Sequence, residues 1–141
     1  MAAFNKFNQF VEDLAEKVHN LGSDTLKVLL TNTTPAATNA VKADLTEISA
    51  GNGYTAGGTA ATVSSSAQTS GTYKLTLADV VFTAAGGSIG PFRYAVLYND
   101  TPTSPADPLI GWYDYGSSIT LADTETLTVD FDATNGVLTL A

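Results

Sequence analysis

The clearest strand pattern in the chain is Phe92-Arg93-Tyr94-Ala95-Val96-Leu97-Tyr98. Alternation divides its apolar side chains into two sets, with Phe92, Tyr94, Val96 and Tyr98 on one face and Ala95 and Leu97 on the other. Because both faces are apolar, we expect this strand to lie in the middle of a sheet whose two sides are both covered. The rest of the chain must therefore supply neighbouring strands and covering layers.

Shorter strand patterns lie on both sides of this central one. They occupy residues 26–30, 59–68, 72–77, 80–83, 109–115, 119–121, 126–131 and 137–140. Turn sequences such as Thr69-Ser70-Gly71 and Thr134-Asn135-Gly136 separate them. About eight strands at this spacing predict a mainly β domain over residues 23–141, built as an antiparallel β-sandwich or a jelly-roll-like fold.

The segment before Gly22 has the period of a helix instead. Its apolar residues are three or four positions apart: Phe4, Phe7, Val11, Leu14, Val18 and Leu21. This spacing predicts one amphipathic α-helix over residues 1–22, and Gly22 can take the positive φ that follows a helix end. A helix this short is not stable alone in water, so it must pack on a surface. That surface is either the β domain of the same chain or a partner, and the sequence leaves both open.

A long excursion, residues 35–58, separates the first strand pattern from the next. It ends in Gly51-Asn52-Gly53-Tyr54-Thr55-Ala56-Gly57-Gly58, which is too rich in glycine for a regular helix or strand. Long connections of this kind are commonly functional. We therefore expect an ordered or partner-contacting surface loop that includes Tyr54.

The charge balance excludes one class of partner. The chain has 14 Asp and Glu against 6 Lys and Arg, a formal net charge of −8. Binding a phosphate backbone needs clustered cations, so we expect no nucleic acid partner. No stretch approaches the ~18 continuous apolar residues of a spanning helix, and the first residues lack the apolar core of a secretion signal. We expect a soluble protein with no membrane partner.

Catalytic chemistry has few candidates in this sequence. The chain has no Cys, and its single histidine is His19. A Ser-His-Asp constellation needs an imidazole within hydrogen-bond reach of the nucleophile, whereas a histidine near a helix end is explained by the helix dipole alone. We therefore expect no enzymatic activity, no catalytic residue and no cofactor.

Acidic residues offer weak alternatives. The best calcium candidate is Asp130-Phe131-Asp132-Ala133-Thr134-Asn135-Gly136, but it lacks the glycine and glutamate positions of an EF-hand loop, so we expect no metal site. Carboxylate pairs for glycoside cleavage can be drawn among Asp114, Asp123, Glu125 and Asp130. Any acidic domain offers such pairs, so they carry little weight.

Aromatic residues near position 112 suggest a second hypothesis, that the chain binds a sugar. Trp112, Tyr113 and Tyr115 offer rings that could stack on a sugar. Alternation places Ile110, Trp112 and Asp114 on one face and the two tyrosines on the other, so at least one aromatic set should belong to the core. Sugar binding stays an open alternative.

Four segments of the chain resemble small virion structural proteins of tailed bacteriophages. They are Phe4-Asn5-Lys6-Phe7-Asn8-Gln9-Phe10, Leu26-Lys27-Val28-Leu29-Leu30-Thr31-Asn32-Thr33, Gly90-Pro91-Phe92-Arg93-Tyr94-Ala95-Val96-Leu97-Tyr98-Asn99 and Gly111-Trp112-Tyr113-Asp114-Tyr115-Gly116. The likeness extends over nearly the whole chain. Within that class the chain most resembles head decoration, or cement, proteins.

The resemblance implies a protein that is made in the host cytoplasm and ends up on the outside of the virion head. There it would bind the major capsid protein and further copies of itself, often as a trimer, and would clamp neighbouring capsomers. The alternative is a tail or tail-fibre adaptor component with a sugar- or receptor-binding role. The subunit or shell contacts are expected from Phe4, Phe7, Phe10, Val11, Leu14, Val18, Tyr54 and Trp112.

Overall fold

The computed structural model of the chain describes residues 2–141 and confirms a mainly β protein, with 48% strand and 7% helix. Within these residues the strands are β1 (Phe4–Lys6), β2 (Leu26–Thr31), β3 (Thr59–Ala61), β4 (Val63–Thr69), β5 (Thr72–Leu77), β6 (Val80–Thr83), β7 (Ile89–Asn99), β8 (Leu109–Leu121), β9 (Thr126–Val129) and β10 (Leu138–Leu140). The helices are α1 (Gln9–Ala15) and a single 3-10 turn, Lys42–Asp44.

The described residues contain ten strands rather than the predicted eight. One extra strand arises because residues 59–68 change sheets at Thr62, so that β3 pairs with β2 and β4 pairs with β5. Another is β1, which lies within the segment predicted to be helical. Two short strands such as β3 and β4 look like one strand in the sequence when a single alternating pattern continues across the point at which the chain changes its neighbouring strand.

The strands form three antiparallel sheets. The main sheet has the order β1-β8-β7-β2-β3, a second has the order β10-β5-β4, and the third pairs β6 with β9. Strand β7 is the middle strand of the main sheet, with Val96 opposite Leu29 on one side and Trp112 on the other. The central position predicted for this strand is therefore confirmed.

The side-chain pattern of β7 differs from strict alternation. Phe92 packs in the same core as Leu97, whereas Val96 and Tyr98 pack in a second core. The register between β7 and β8 shifts between Phe92 and Tyr94. At this point β8 advances five residues, from Asp114 to Ile119, while β7 advances two, so the regular pairing and alternation are interrupted. The predicted grouping of Phe92 with Tyr98 is wrong.

Two apolar cores lie on opposite faces of the main sheet. The larger core contains residues from all three sheets, among them Val28 of β2, Leu75 of β5 and Phe82 of β6. The smaller core consists of Phe7, Leu29, Val96, Tyr98 and Leu109, with Leu45 and Trp112 packed against it. The same sheet is therefore covered on both sides, although by very different amounts of chain.

The helix predicted over residues 1–22 is wrong in its bounds. Residues Phe4–Lys6 form an edge strand on β8, with Phe4 opposite Tyr113, and α1 has only seven residues. The buried residues of α1 are Phe10 and Asp13, whereas Val11 is 53% exposed. The three-and-four spacing therefore combines a strand, a short helix and a loop that contact the domain in different ways.

The helix also ends earlier than Gly22. The residue with positive φ is Lys17 (+68°), and the amide of Val18 donates to the carbonyl of Asp13 at 2.8 Å. This is the bonding of a Schellman end, which normally favours glycine at the position that Lys17 occupies. No helix in the described part of the chain is long and apolar enough to cross a bilayer.

The long loop folds back onto its own domain. Glu47 Oε1 accepts hydrogen bonds from the hydroxyl of Tyr54 and the amide of Gly57, both at 2.6 Å. The Tyr54 hydroxyl in turn accepts from the amide of Leu30 at 3.1 Å. The Tyr54 ring is buried beside Phe82, with centroids 5.8 Å apart. The glycine-rich stretch is thus ordered by contacts within the chain.

Replacing Gly58 by alanine should destabilise the protein far more than the same change at Gly86. Both glycines have a φ of +79°, but a Cβ at Gly58 would overlap the carbonyl of Val28, whereas a Cβ at Gly86 meets no atom. We expect Gly86→Ala to cost about 1 kcal/mol of unfolding free energy for the left-handed backbone, and Gly58→Ala about 3 kcal/mol or more. Urea denaturation measures both, and equal losses would contradict the close packing of residue 58 on β2.

Candidate functional site

A groove of about 460 Å³ lies where β9 passes the face of β7 and β8. Its lining includes Ala95, Tyr113 and Tyr115 from the main sheet, and Leu127 and Val129 from β9. We refer to it as the β9 groove. The volume is within the range of about 300 to 1,000 Å³ that is usual for binding sites, and apolar walls with few polar groups are typical of them.

Two tyrosines two residues apart in β8 form the aromatic part of the groove. Tyr113 is half-buried between Phe4 and Phe131, with ring centroids 5.5 and 5.9 Å away. Burial, with a smaller contribution from the charge of Asp132, raises the pKa of Tyr113 to about 12. Tyr115 is 59% exposed. The first ring is therefore held in place by its neighbours, and the second is free to contact a ligand.

An ion pair neutralises the basic residue of the groove. Arg93 Nε lies 2.7 Å from Asp114 Oδ1, and a terminal guanidinium nitrogen lies 2.9 Å from Asp114 Oδ2. Asp114 Oδ1 also accepts from the amide of Gly116 at 2.8 Å, and the Arg93 hydrogen bond is the main reason that the pKa of Asp114 is lowered. The pair is bidentate and partly exposed, so it fixes geometry more than it stabilises the fold.

The surroundings of the groove are acidic. All six Lys and Arg residues lie at or before position 93, whereas seven of the 14 acidic residues follow it. Asp130 lines the groove and is exposed, and it has no salt bridge or hydrogen bond to another side chain among residues 2–141. A ligand in the β9 groove therefore meets apolar walls and a negative rim.

The single histidine has a structural position. His19 is buried against the ring of Phe10 at 5.1 Å, and its Nδ1 lies 3.1 Å from Asn99 Nδ2. Burial lowers the pKa of His19, and the nearby charges of Asp13 and Asp24 oppose that change. His19 Nε2 and Asp13 Oδ2 are buried without a hydrogen-bond partner in the described part of the chain. This cluster joins the N-terminal segment to the end of β7.

The residues predicted to contact a partner are mostly packed within their own chain. Phe7, Phe10 and Tyr54 are buried, and the Phe7 ring lies 4.6 Å from Trp112. Half-buried positions are taken by Phe4, Leu14, Val18 and Trp112. The N-terminal segment thus packs on its own β domain, which answers the question that the sequence left open. Among these residues Val11 is the exposed one, and the predicted contact role stays a prediction.

The three aromatic residues near position 112 do not form one platform. Trp112 packs against the smaller core, whereas Ile110 and Tyr113 pack in or against the larger one. The register of β8 shifts where it passes Leu97 and Tyr98 of β7, so the predicted grouping of Ile110 with Trp112 is wrong. The structure brings Tyr113 and Tyr115 together at the β9 groove and places Trp112 elsewhere.

Three of the acidic residues considered for metal or glycoside chemistry, Asp123, Glu125 and Asp132, accept hydrogen bonds in turns. Asp132 Oδ1 accepts from the amides of Thr134 and Asn135, each at 2.8 Å. Asp123 and Glu125 accept backbone amides at 2.8 and 2.7 Å. Within residues 2–141, no three His, Asp or Glu side chains come together as a set of metal ligands.

The β9 groove itself was not anticipated from the sequence. Tyr113, Tyr115 and Asp130 are candidates from the sequence, but for unrelated chemistry, and Leu127 and Thr128 carry no motif. Only the packing of β9 beside β8 brings these residues together. No protein-family model, curated protein or solved structure matches the chain.

Truncating Phe7 should test how the N-terminal segment contributes to stability. Phe7 is fully buried in the smaller core, whereas Val11 on the neighbouring helix is 53% exposed. We expect Phe7→Ala to lower the unfolding free energy by about 3 to 5 kcal/mol, and Val11→Ala by no more than about 0.5 kcal/mol. Chemical denaturation compares the two. If Phe7→Ala were as stable as Val11→Ala, the segment would not be part of the folded core.

The stability of the protein should decrease as the pH falls below 6.5. Burial holds the pKa of His19 below its ordinary value of 6.5, so the folded protein binds this proton less readily than the unfolded chain does. The contribution is fully present above pH 6.5 and is lost progressively below it. Urea unfolding at pH values on either side of 6.5 measures the slope. His19→Gln should flatten it, and an unchanged slope would assign the dependence to other groups.

Proposed function

We propose that the chain is a structural protein of a bacteriophage virion, and specifically a capsid decoration, or cement, protein. One observation carries the proposal. The four segments that resemble such proteins contain β1, β2, all of β7 except its first residue and the middle of β8, and these are four adjacent strands of the main sheet. The resemblance therefore falls on one contiguous structural unit rather than on scattered surface positions.

The proposal includes a β-sandwich. The larger core is shared by the main sheet and by the two smaller sheets, since it contains Leu30, Leu77 and Val129 together. In a sandwich, two sheets bury their inner faces against each other in this way. The smaller sheets would form the second layer. The β9 groove would lie at the edge of that layer, where β9 passes the main sheet.

Surfaces, rather than reactive groups, are what this chain offers a partner. His19 is taken up in a buried structural cluster. Among the acidic residues considered for catalysis, Asp123 and Glu125 hold turns and Asp114 pairs with Arg93. A decoration protein acts by binding the major capsid protein and its own copies, as a homo-oligomer such as a trimer. Repetition over a shell multiplies modest contacts into strong attachment.

A tail or tail-fibre adaptor component is the second candidate. The observation in its favour is the pair Tyr113 and Tyr115, which line the β9 groove with Tyr115 exposed. Aromatic rings with a polar handle suit contact with a sugar or a receptor. Head and tail components differ in where they lie on the particle, which gives a direct test.

Antibody labelling of phage particles should locate the protein. We expect gold-labelled antibodies against the chain to bind the heads of the phage whose genome encodes it, with many gold particles per head. Labelling confined to tails would favour the adaptor candidate. Purified particles that carry no label, and that lack the chain by mass spectrometry, would contradict a virion role altogether. Particles from a deletion strain serve as the control.

A further inference from the structure

Strand β9 has an unpaired edge beside a cavity. It pairs antiparallel with β6 on one side, and within residues 2–141 no strand pairs with its other side. Thr128, Val129 and Asp130 line the β9 groove, so the edge borders this space. An unpaired edge presents N–H and C=O groups that can bind an extended chain.

The direction of the backbone groups in β9 follows from one hydrogen bond. In an antiparallel pair, residues alternate between those whose N–H and C=O face the partner strand and those whose groups face away. The amide of Ala84 donates to the carbonyl of Glu125 at 2.9 Å, so Glu125 faces β6. Thr126 and Thr128 therefore direct their backbone groups to the unpaired edge.

The groove walls suit the side chains of an added strand. Ala95, Tyr113 and Tyr115 present apolar surface, and a strand directs every second side chain to the same face. A segment with alternating apolar residues would place them on these walls while its backbone pairs with Thr126 and Thr128. Strand addition combines main-chain hydrogen bonds with side-chain pockets in this manner.

The charge around the groove defines the partner further. Asp130 is exposed at the rim, whereas Asp123 and Glu125 lie before β9, outside the groove lining, and accept backbone amides there. Arg93 is already paired with Asp114 in a bidentate ion pair. A net negative rim attracts Lys or Arg and repels acidic chains. A second copy of this chain, with its formal charge of −8, is the less favourable occupant.

We propose that the β9 groove binds an extended segment of a partner protein by strand addition to β9. The segment has alternating apolar side chains and at least one Lys or Arg beside them. The inference goes beyond the proposed function, because it concerns this edge and this groove whichever protein supplies the segment.

Selection from a library of random short peptides tests the proposal with the full chain. We expect the enriched peptides to alternate apolar residues and to contain Lys or Arg, and their affinity to fall as salt is raised. Hydrogen exchange should show that a bound peptide protects the amides of Thr126 and Thr128. A library that yields no enriched peptide, or only acidic ones, would overturn the proposal.

Two substitutions at one position separate strand addition from other modes of binding. Thr128→Pro removes an N–H that faces the unpaired edge, and proline is tolerated at such edge positions. Thr128→Val keeps the amide and the side-chain shape. We expect Thr128→Pro to lower the affinity for the selected peptides by about tenfold or more, and Thr128→Val to lower it by no more than about twofold. Equal affinity of the two variants would refute pairing with β9.

A charge variant keeps the proposal testable if Thr128→Pro fails to unfold cooperatively. Asp130 is exposed, so the Asp130→Lys variant should fold normally and should bind the basic peptides with lower affinity. Unchanged binding would refute the charge argument. Self-association that is seen by light scattering without peptide and is abolished by the selected peptide would assign the groove to a second copy. None of these measurements uses particles, so failure of the virion proposal and failure of this one are distinguishable.

Discussion

Strand β7 has apolar side chains on both faces, and the rest of the structure depends on covering them. The face that borders the larger core is covered by the two smaller sheets, which contribute Leu75 and Phe82 among others. The face that borders the smaller core is not covered by a second sheet within residues 2–141. Phe7 and the long loop cover it instead. The amide of Phe7 donates to the carbonyl of Ile110 at 3.2 Å, and that of Asn8 donates to the carbonyl of Ala37 at 2.9 Å. The N-terminal segment is thus held by backbone bonds as well as by its ring.

Covering β7 also creates a requirement for hydrogen bonds in the interior. Tyr98 is fully buried, and its hydroxyl donates to the carbonyl of Gly57 at 2.6 Å. A buried hydroxyl without a partner is costly, so the loop backbone must approach this ring closely. Gly57 and Gly58 both have positive φ, and Gly58 lies against the backbone of Val28. The glycine-rich stretch is therefore explained by close backbone packing, which needs no partner protein.

Patterns within one strand or turn were predictable from the sequence, whereas features that depend on a distant partner were not. The central position of β7 and the hairpin around Gly71 followed from alternation and turn residues, and the structure pairs Thr69 with Thr72 there. The strand Phe4–Lys6 was mistaken for helix because three residues fit either period until β8 pairs with them. The shift beside Phe92 likewise depends on how β8 passes β7. The β9 groove combines residues from β7, β8 and β9, so no local pattern reveals it.

The separation of charge along the chain limits how copies of this protein can associate. No Lys or Arg follows Arg93 in the sequence, and that cation is already paired with Asp114. The chain after Arg93 therefore carries only acidic charges. Two copies that bring these segments together are destabilised unless salt screens the repulsion over about 8 Å at physiological ionic strength. The cations that could offset this repulsion come from the first part of the chain, where Lys6 and Lys17 are exposed, and Lys6 lies on β1 opposite Gly111 of β8.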